Sequence, residues 1–138
     1  MAILTEKFDI STVGYTDMLD ITNRVQNIVL NSAIKEGSVM VYVTGSTSSV
    51  TTIQLEDGVS QEFLQAWEKI VPENNDYLHK QKGHEGNVTA HIRATIIGNS
   101  VQLPLVDGHI LLGTWQQVVL VDFDSMPGKK TIVVQIVY

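Results

Sequence analysis

The sequence contains no cysteine. That excludes a disulfide scaffold, a cysteine nucleophile and a thiolate zinc site. Charge is also scarce, at 17% of residues, and cations are scarcer still: nine Lys and Arg against fifteen Asp and Glu, a formal net charge of -6. Lys129 and Lys130 are the one adjacent cationic pair in the C-terminal part, so no basic footprint for DNA, RNA or an anionic membrane is present. No apolar run is long enough to span a bilayer, and the amino terminus lacks a hydrophobic export core. A cytoplasmic location is the default expectation.

What remains is a chain of 138 residues, 43% hydrophobic. That length suits one domain over residues 1–138 with a single core. So little charge on so apolar a chain suggests contact with identical copies.

Hydrophobic periodicity divides the chain into a helix-containing half and a β-rich half. Residues 2–12 are strand-like, with Phe8 and Ile10 among them. Val25, Ile28, Val29, Ala33 and Ile34 recur at helical spacing, which predicts a helix with Thr22 as its N-cap and Gly37 as its stop. Val39–Val43 reads as a buried strand and Val50–Leu55 as another, separated by the Gly45-Ser46-Thr47-Ser48-Ser49 loop. After Asp57-Gly58, Val59, Phe63, Trp67 and Ile70 mark one face of a second amphipathic helix, with Leu64 widening it, and Pro72 ends it. Residues 73–87 form a polar connector carrying Glu73, Asp76, His79, His84 and Glu85.

Beyond it, Thr89–Ile97, Val101–Val106, Trp115–Phe123 and Thr131–Val137 are predicted strands. Turns at Gly98-Asn99, Asp107-Gly108 and Pro127-Gly128 separate them. Helices early and short-linked strands late predict an α+β fold, a β-sandwich-like, mainly antiparallel sheet with packed helices. Val118–Phe123, apart from Asp122, and Ile132–Val137, apart from Gln135, are apolar on both strand faces. Helices are therefore expected on one face and another sheet or a subunit on the other.

Read as a strand, Val88–Ile96 places Val88, Ala90, Ile92, Ala94 and Ile96 on one face and Thr89, His91, Arg93 and Thr95 on the other. His91 then has the chemistry to ligate a metal or move a proton near neutral pH, and Arg93 to bind phosphate bidentately. An intersubunit salt bridge from Arg93, with His91 as its polar neighbour, is the other reading. His79 and His84 join His91 if the connector folds back over the strand, although their spacing matches no compact histidine metal motif. Glu56 either caps the adjacent turn or ligates a cation, and Glu85 is a further carboxylate of that kind. In Gly113-Thr114-Trp115-Gln116, glycine permits a turn, threonine and glutamine offer hydrogen bonds, and tryptophan either stacks on a heterocycle or anchors the sheet. No dinucleotide loop, Walker sequence or serine nucleophile elbow is present.

Three blocks, taken together, resemble the YjbQ-like family: Gly86-Asn87-Val88-Thr89-Ala90-His91, Gly98-Asn99-Ser100, and Gly108-His109-Ile110-Leu111-Leu112-Gly113-Thr114-Trp115-Gln116-Gln117. Gly45–Ser49 and Tyr77-Leu78-His79 resemble its earlier segments. The family is associated with secondary thiamine-phosphate synthase activity. The resemblance implies a β-sandwich-like sheet with helices, commonly assembled as a homotrimer. It also implies a transferase that joins an aminomethylpyrimidine diphosphate to a thiazole phosphate and releases pyrophosphate. Under that reading His79, His91 and Arg93 carry catalysis, and Glu56, His79, His84 and His91 hold a divalent metal. Ser46, Thr47, Asn87, Thr89, Gly113, Thr114, Trp115 and Gln116 meet a phosphorylated small molecule. Family members often carry a histidine where Thr89 stands, and a His-Thr pair in the region of Gly45 and Ser46. A metal-assisted phosphate-ester hydrolase and a noncatalytic oligomeric metabolite-binding protein are the two alternatives.

Overall fold

The computed structural model describes residues 1–74 and 87–138. Within them the strands are β1 (Ile3–Thr12), β2 (Asp17–Asp20), β3 (Gly37–Val43), β4 (Ser48–Ile53), β5 (Ser100–Val106), β6 (His109–Ile110), β7 (Gln117–Asp122) and β8 (Gly128–Val137). The helices are α1 (Thr22–Ser32), α2 (Val59–Ile70) and α3 (Val88–Ile97). A five-stranded sheet runs β1-β8-β3-β5-β6 and a three-stranded sheet runs β2-β7-β4. The registered strand pairs are antiparallel. This is the α+β, sandwich-like architecture that the sequence predicts.

Strand β7 explains why the layers stack as they do. Every residue from Val118 to Asp122 is buried. Val118 and Leu120 face the core shared with the large sheet and α1, where Ile21, Val25, Val41 and Val134 are fully buried. Val119, Val121 and Phe123 face the other way, onto Trp67 of α2, Val71 at its end, and Ala90 and Ala94 of α3. The two-sided apolar pattern of β7 is thus satisfied inside one chain, with the large sheet on one face and two helices on the other. Of the two covers expected opposite the helices, another sheet or a subunit, the structure shows the sheet.

The main correction concerns residues 88–97, which form a helix and not a strand. The alternation of apolar residues fits a strand, but the buried set is Val88, Thr89, Ala90, Arg93 and Ala94. That set follows helical spacing: Thr89 and Arg93 lie one turn apart, as do Ala90 and Ala94. Alanine favours helix and is depleted in strands. Docking of the Ala90–Ala94 stripe against the small sheet, with Ser49 Oγ donating to the Ala94 carbonyl at 3.0 Å, holds the helix in place.

Smaller differences occur at the ends of elements. Thr22 is the first residue of α1 and not its cap: Asp20 Oδ1 accepts from the Thr22 amide at 2.9 Å, and the Thr22 hydroxyl accepts from the Val118 amide. Helix α1 ends at Ala33 in a left-handed conformation, ahead of Gly37, which opens β3. Trp115 lies before β7 begins, in a turn, and is 70% exposed.

Candidate functional site

The sequence-predicted site residues divide among three places. The first is a turn at the edge of the small sheet. The Gln116 amide donates to the Gly113 carbonyl at 3.1 Å, and the Gly113 amide donates to Gln116 Oε1 at 3.0 Å. Gln116 Nε2 then donates to Thr52 Oγ1 of β4 at 3.1 Å. One glutamine closes the turn and ties it to the sheet, which leaves Trp115 at the tip with its ring in solvent. The anchor reading of this tryptophan is corrected; no core surrounds it.

Trp115 and Thr114 line a cavity of about 350 Å³ with Glu56, Gln54, Leu55 and Gln117. Its floor is fixed: Gln117 Oε1 accepts from the Leu55 amide at 2.6 Å, while Gln117 Nε2 donates to Asp20 Oδ2 at 2.6 Å. Burial pushes the Asp20 carboxyl up, but hydrogen bonds from Thr22 and Gln117 outweigh it and hold the group below the usual carboxylate range. Glu56 accepts from Gln54 Nε2 at 3.0 Å and is exposed, which leaves lone pairs for a ligand. Glu56, Thr114 and Trp115, proposed separately from sequence, therefore converge.

The second place is a cavity of about 270 Å³ between the Gly45–Ser48 loop and the end of α3, lined also by Ala94, Thr95, Gly98 and Asn99. Gly45 has φ +97, and a side chain there would meet open space, so backbone conformation and not crowding demands the glycine. Ser48 Oγ donates to Asp122 Oδ1 at 3.0 Å and Thr95 Oγ1 donates to the His91 carbonyl at 2.8 Å. Those two hydroxyls are left as acceptors. Exposed Ser46 and the Asn99 amide offer donors. Thr47, by contrast, is turned inward: its hydroxyl donates to Asp124 Oδ2 at 3.2 Å and accepts from Lys130 Nζ at 3.2 Å. Burial pushes the Asp124 carboxyl up, yet the Met126 amide, the Lys130 charge and the Thr47 hydroxyl hold it low.

The third place is the buried face of α3. Arg93 is 2% exposed. Its Nε and Nη2 donate to the Val71 carbonyl at 3.2 and 2.6 Å, and Nη2 donates to Glu68 Oε1 at 2.9 Å. Nη1 stands 3.7 Å from Glu73 Oε1, the oxygen that also accepts from Thr89 Oγ1 at 2.6 Å. The hydrogen bond from Arg93 is the main cause that holds the Glu68 carboxyl below its ordinary range, against a smaller upward push from burial. Thr89 and Arg93 therefore brace the α2–α3 junction. Asn87 docks the start of α3, its Oδ1 accepting from the Ser125 amide at 2.9 Å.

Helix geometry also separates His91 from Arg93. Two residues along a helix turn a side chain by about 200°, whereas two residues along a strand return it to the same face. The shared His91–Arg93 face is thereby overturned, as is the shared face of Thr89 and His91. His91 is half-buried. His79, His84 and Glu85 lie outside the described residues. Of the four expected metal ligands, Glu56 and His91 are described, and no group of three or more His, Cys, Asp or Glu among the described residues fits a metal ion.

The sequence does not mark Glu68 and Glu73, on either side of Pro72, as partners of Arg93. The pair Arg93–Glu68 is 25 residues apart in the chain, and no local pattern announces it. The spacing of Thr89 and Arg93 was the signal available. Among the described residues no helix is long and apolar enough to cross a membrane.

Known proteins share this arrangement over almost the whole chain. The family model of the UPF0047 protein YjbQ-like group matches residues 6–138. A UPF0047 protein of Archaeoglobus fulgidus is 32% identical over 124 residues, covering 90% of this chain and 94% of that protein. Another, from Methanocaldococcus jannaschii, is 30% identical and covers 95% and 92%. The crystal structure of a YbjQ-like protein of unknown function from Sulfolobus solfataricus superimposes with a TM-score of 0.91 at 27% identity, over 98% of this chain and 96% of that one. A Clostridium acetobutylicum member gives 0.86 at 29% identity, over 96% and 99%. On this evidence the chain belongs to the YjbQ-like UPF0047 family.

Proposed function

We propose that this chain binds a phosphorylated heteroaromatic metabolite and acts as a transferase of the secondary thiamine-phosphate synthase type. That reaction would join a pyrimidine diphosphate to a thiazole phosphate and release pyrophosphate. The observation that carries the reading is the convergence of Trp115, Thr114 and Glu56 on one cavity. An exposed indole face stacks on a planar ring, a carboxylate accepts from a ring amine, and a hydroxyl fixes orientation. Binding the ring would remove from water an indole that is 70% exposed.

The donors at Ser46 and Asn99 belong to the second cavity, at the Ser48–Asp122 end of the β4–β7 pair and away from Trp115, so in this reading they serve a separate phosphate and not the one on the ring held at Trp115. Arg93 enters this reading as a structural residue, since two glutamates and a carbonyl already surround its charge. His91 is the described candidate for proton transfer. A divalent metal remains part of the proposal through His79 and His84, and no step is assigned to it.

A homotrimer is proposed with it. The outward face of the five-stranded sheet mixes half-buried Met40, Tyr42, Val133 and Val137 with hydrogen-bonded polar pairs such as Gln135–Thr5 and Gln102–Ser38, and this face is the one offered to a second copy. The separation of His91 from Arg93 favours one second reading, a noncatalytic oligomeric metabolite-binding protein.

Isothermal titration with pyrophosphate and with small phosphorylated heterocycles, each with and without a divalent cation, tests the site. The expected result is saturable binding of the heterocycles that quenches Trp115. Absence of binding under both conditions rejects the phosphate-ligand reading. Binding without pyrophosphate release from the paired substrates selects the noncatalytic one.

A further inference from the structure

A third cavity, of about 250 Å³, opens beside Arg93 and shares no lining residue with the Trp115 cavity. Its apolar walls are Tyr15, Leu64 and Phe123; its charged groups are Glu68, Glu73 and Arg93. We propose that it is a binding site for a small organic cation, an ammonium group on a compact apolar or aromatic body.

The charge count comes first. Two carboxylates face one guanidinium, so the lining carries a formal charge of -1. Arg93 is 2% exposed and spends its Nε and Nη2 on Val71 and Glu68. Its contact with Glu73 is longer, at 3.7 Å. Glu68 and Glu73 keep 45% and 52% of their side chains exposed, so carboxylate surface remains for a second cation. The hydrogen bond from Arg93 holds the Glu68 carboxyl below its ordinary range, so that bond does not compete with the charge already present at neutral pH.

The apolar wall is built to hold its shape. Phe123 meets Trp67 edge-on at 5.5 Å and stacks on Phe63 at 6.4 Å, so its ring is fixed from behind. Tyr15 is different: it is 71% exposed, yet its backbone is tightly specified. Gly14, Tyr15 and Thr16 have φ of 78, 54 and 64°, three successive residues in the left-handed region. The Tyr15 amide donates to the Asp124 carbonyl at 2.7 Å, and a Cβ on Gly14 would stand 2.6 Å from the same oxygen. Backbone held this way by its surroundings is characteristic of ligand sites. Its effect here is to present a phenol ring at the mouth of an acidic cavity, where a cation gains from both ring face and carboxylate. The volume lies just under the ~300–1,000 Å³ range of ligand pockets, which restricts the occupant to a compact molecule.

Benzylamine and benzyl alcohol, nearly equal in shape and different in charge, separate this proposal from simple apolar binding. Each is titrated into the 15N-labelled full chain, following the Thr16, Leu64 and Phe123 amides. Benzylamine is expected to bind saturably, about tenfold or more tighter than the alcohol, and to weaken as salt rises. Tyr15→Ala, at an exposed position, is expected to weaken benzylamine several-fold with the melting temperature kept. Glu73→Gln is expected to weaken benzylamine and leave the alcohol unchanged; if that variant melts early, Tyr15→Ala decides alone. Equal affinity for both ligands overturns the proposal. So does the absence of saturable shifts at those amides, or shifts confined to Thr114 and Trp115.

Discussion

Arg93 Nη2 donates to Glu68 Oε1 at 2.9 Å, an ion pair with one end 2% exposed and the other 45% exposed. The asymmetry decides what the pair is for. The guanidinium cannot be left in its niche without partners, whereas the carboxylate can return to water. Arg93→Ala would remove two hydrogen bonds to the Val71 carbonyl and vacate a buried space, while Glu68 and Glu73 rehydrate. The expected loss is on the order of 2–3 kcal/mol, read as a lower urea midpoint. The sequence alone suggests the opposite balance, with ligand affinity suffering more than stability. An Arg93→Ala protein that melts normally but no longer binds pyrophosphate would return this residue to the phosphate site.

The same pair makes stability depend on acidity. The Glu68 carboxyl is held below its ordinary value of 4.5 in the folded chain, principally by the hydrogen bond from Arg93. A group depressed by folding stabilises above its unfolded value and loses that contribution as pH falls through the folded one. Glu68→Gln should therefore be less stable than the parent at pH 7, with the difference shrinking below about pH 4.5. Because the carboxylate is nearly half exposed, solvent keeps the effect modest. Urea unfolding of both proteins across this range checks it; a difference that is constant with pH rejects the linkage.

Asp122 gives a larger effect. It is fully buried, and it accepts from the Thr12 hydroxyl, from Ser48 Oγ at 3.0 Å and from the Asp124 amide at 3.0 Å, with Lys130 Nζ 3.7 Å away. Thr12, Ser48 and Lys130 come from β1, β4 and β8 and Asp124 from the loop after β7, so the carboxylate joins the two sheets. Asp122→Ala strands three donors and should cost roughly 3–5 kcal/mol. Asp122→Asn can still accept from some of them and should cost less. Asp122→Asn is expected to melt above Asp122→Ala; equal melting temperatures would show that the charge lost in both, and not the remaining acceptor, sets the stability here.

Much of this architecture is written in local patterns. Strands β3, β5 and β8, the span of α2 up to Pro72, and the short turns between later strands all follow from period and turn chemistry. Three features escape such reading for physical reasons. Residues 88–97 alternate like a strand, and only contact with the small sheet selects the helix, for which Ala90 and Ala94 were the local clue. Apolarity on both faces of β7 identifies a central layer without saying whether helices or another subunit cover it. The pairing of Arg93 with Glu68 and Glu73 depends on α2 and α3 meeting in space. At the candidate site, Thr114, Trp115 and Glu56 were each legible as polar or aromatic oddities. Their union needed the β4–β7 pairing, which brings Ile53 opposite Gln117.

Trp115 closes the case for or against the proposed cavity. Its ring is 70% exposed and the turn beneath it is closed by Gln116, not by the indole. Trp115→Ala should thus change stability by no more than about 0.5 kcal/mol, as for other surface substitutions. Loss of an aromatic stacking partner, by contrast, should reduce affinity for a heteroaromatic ligand by ~1–3 kcal/mol, the range seen for base–aromatic stacking. Gln116→Ala should lower the melting temperature, because it removes the clasp of the turn, and should reduce affinity less than Trp115→Ala, because the stacking ring is still present. Melting and titration on the same preparations separate the two. A Trp115→Ala variant that melts early would make the tryptophan structural, and one that binds like the parent would remove this cavity from the function.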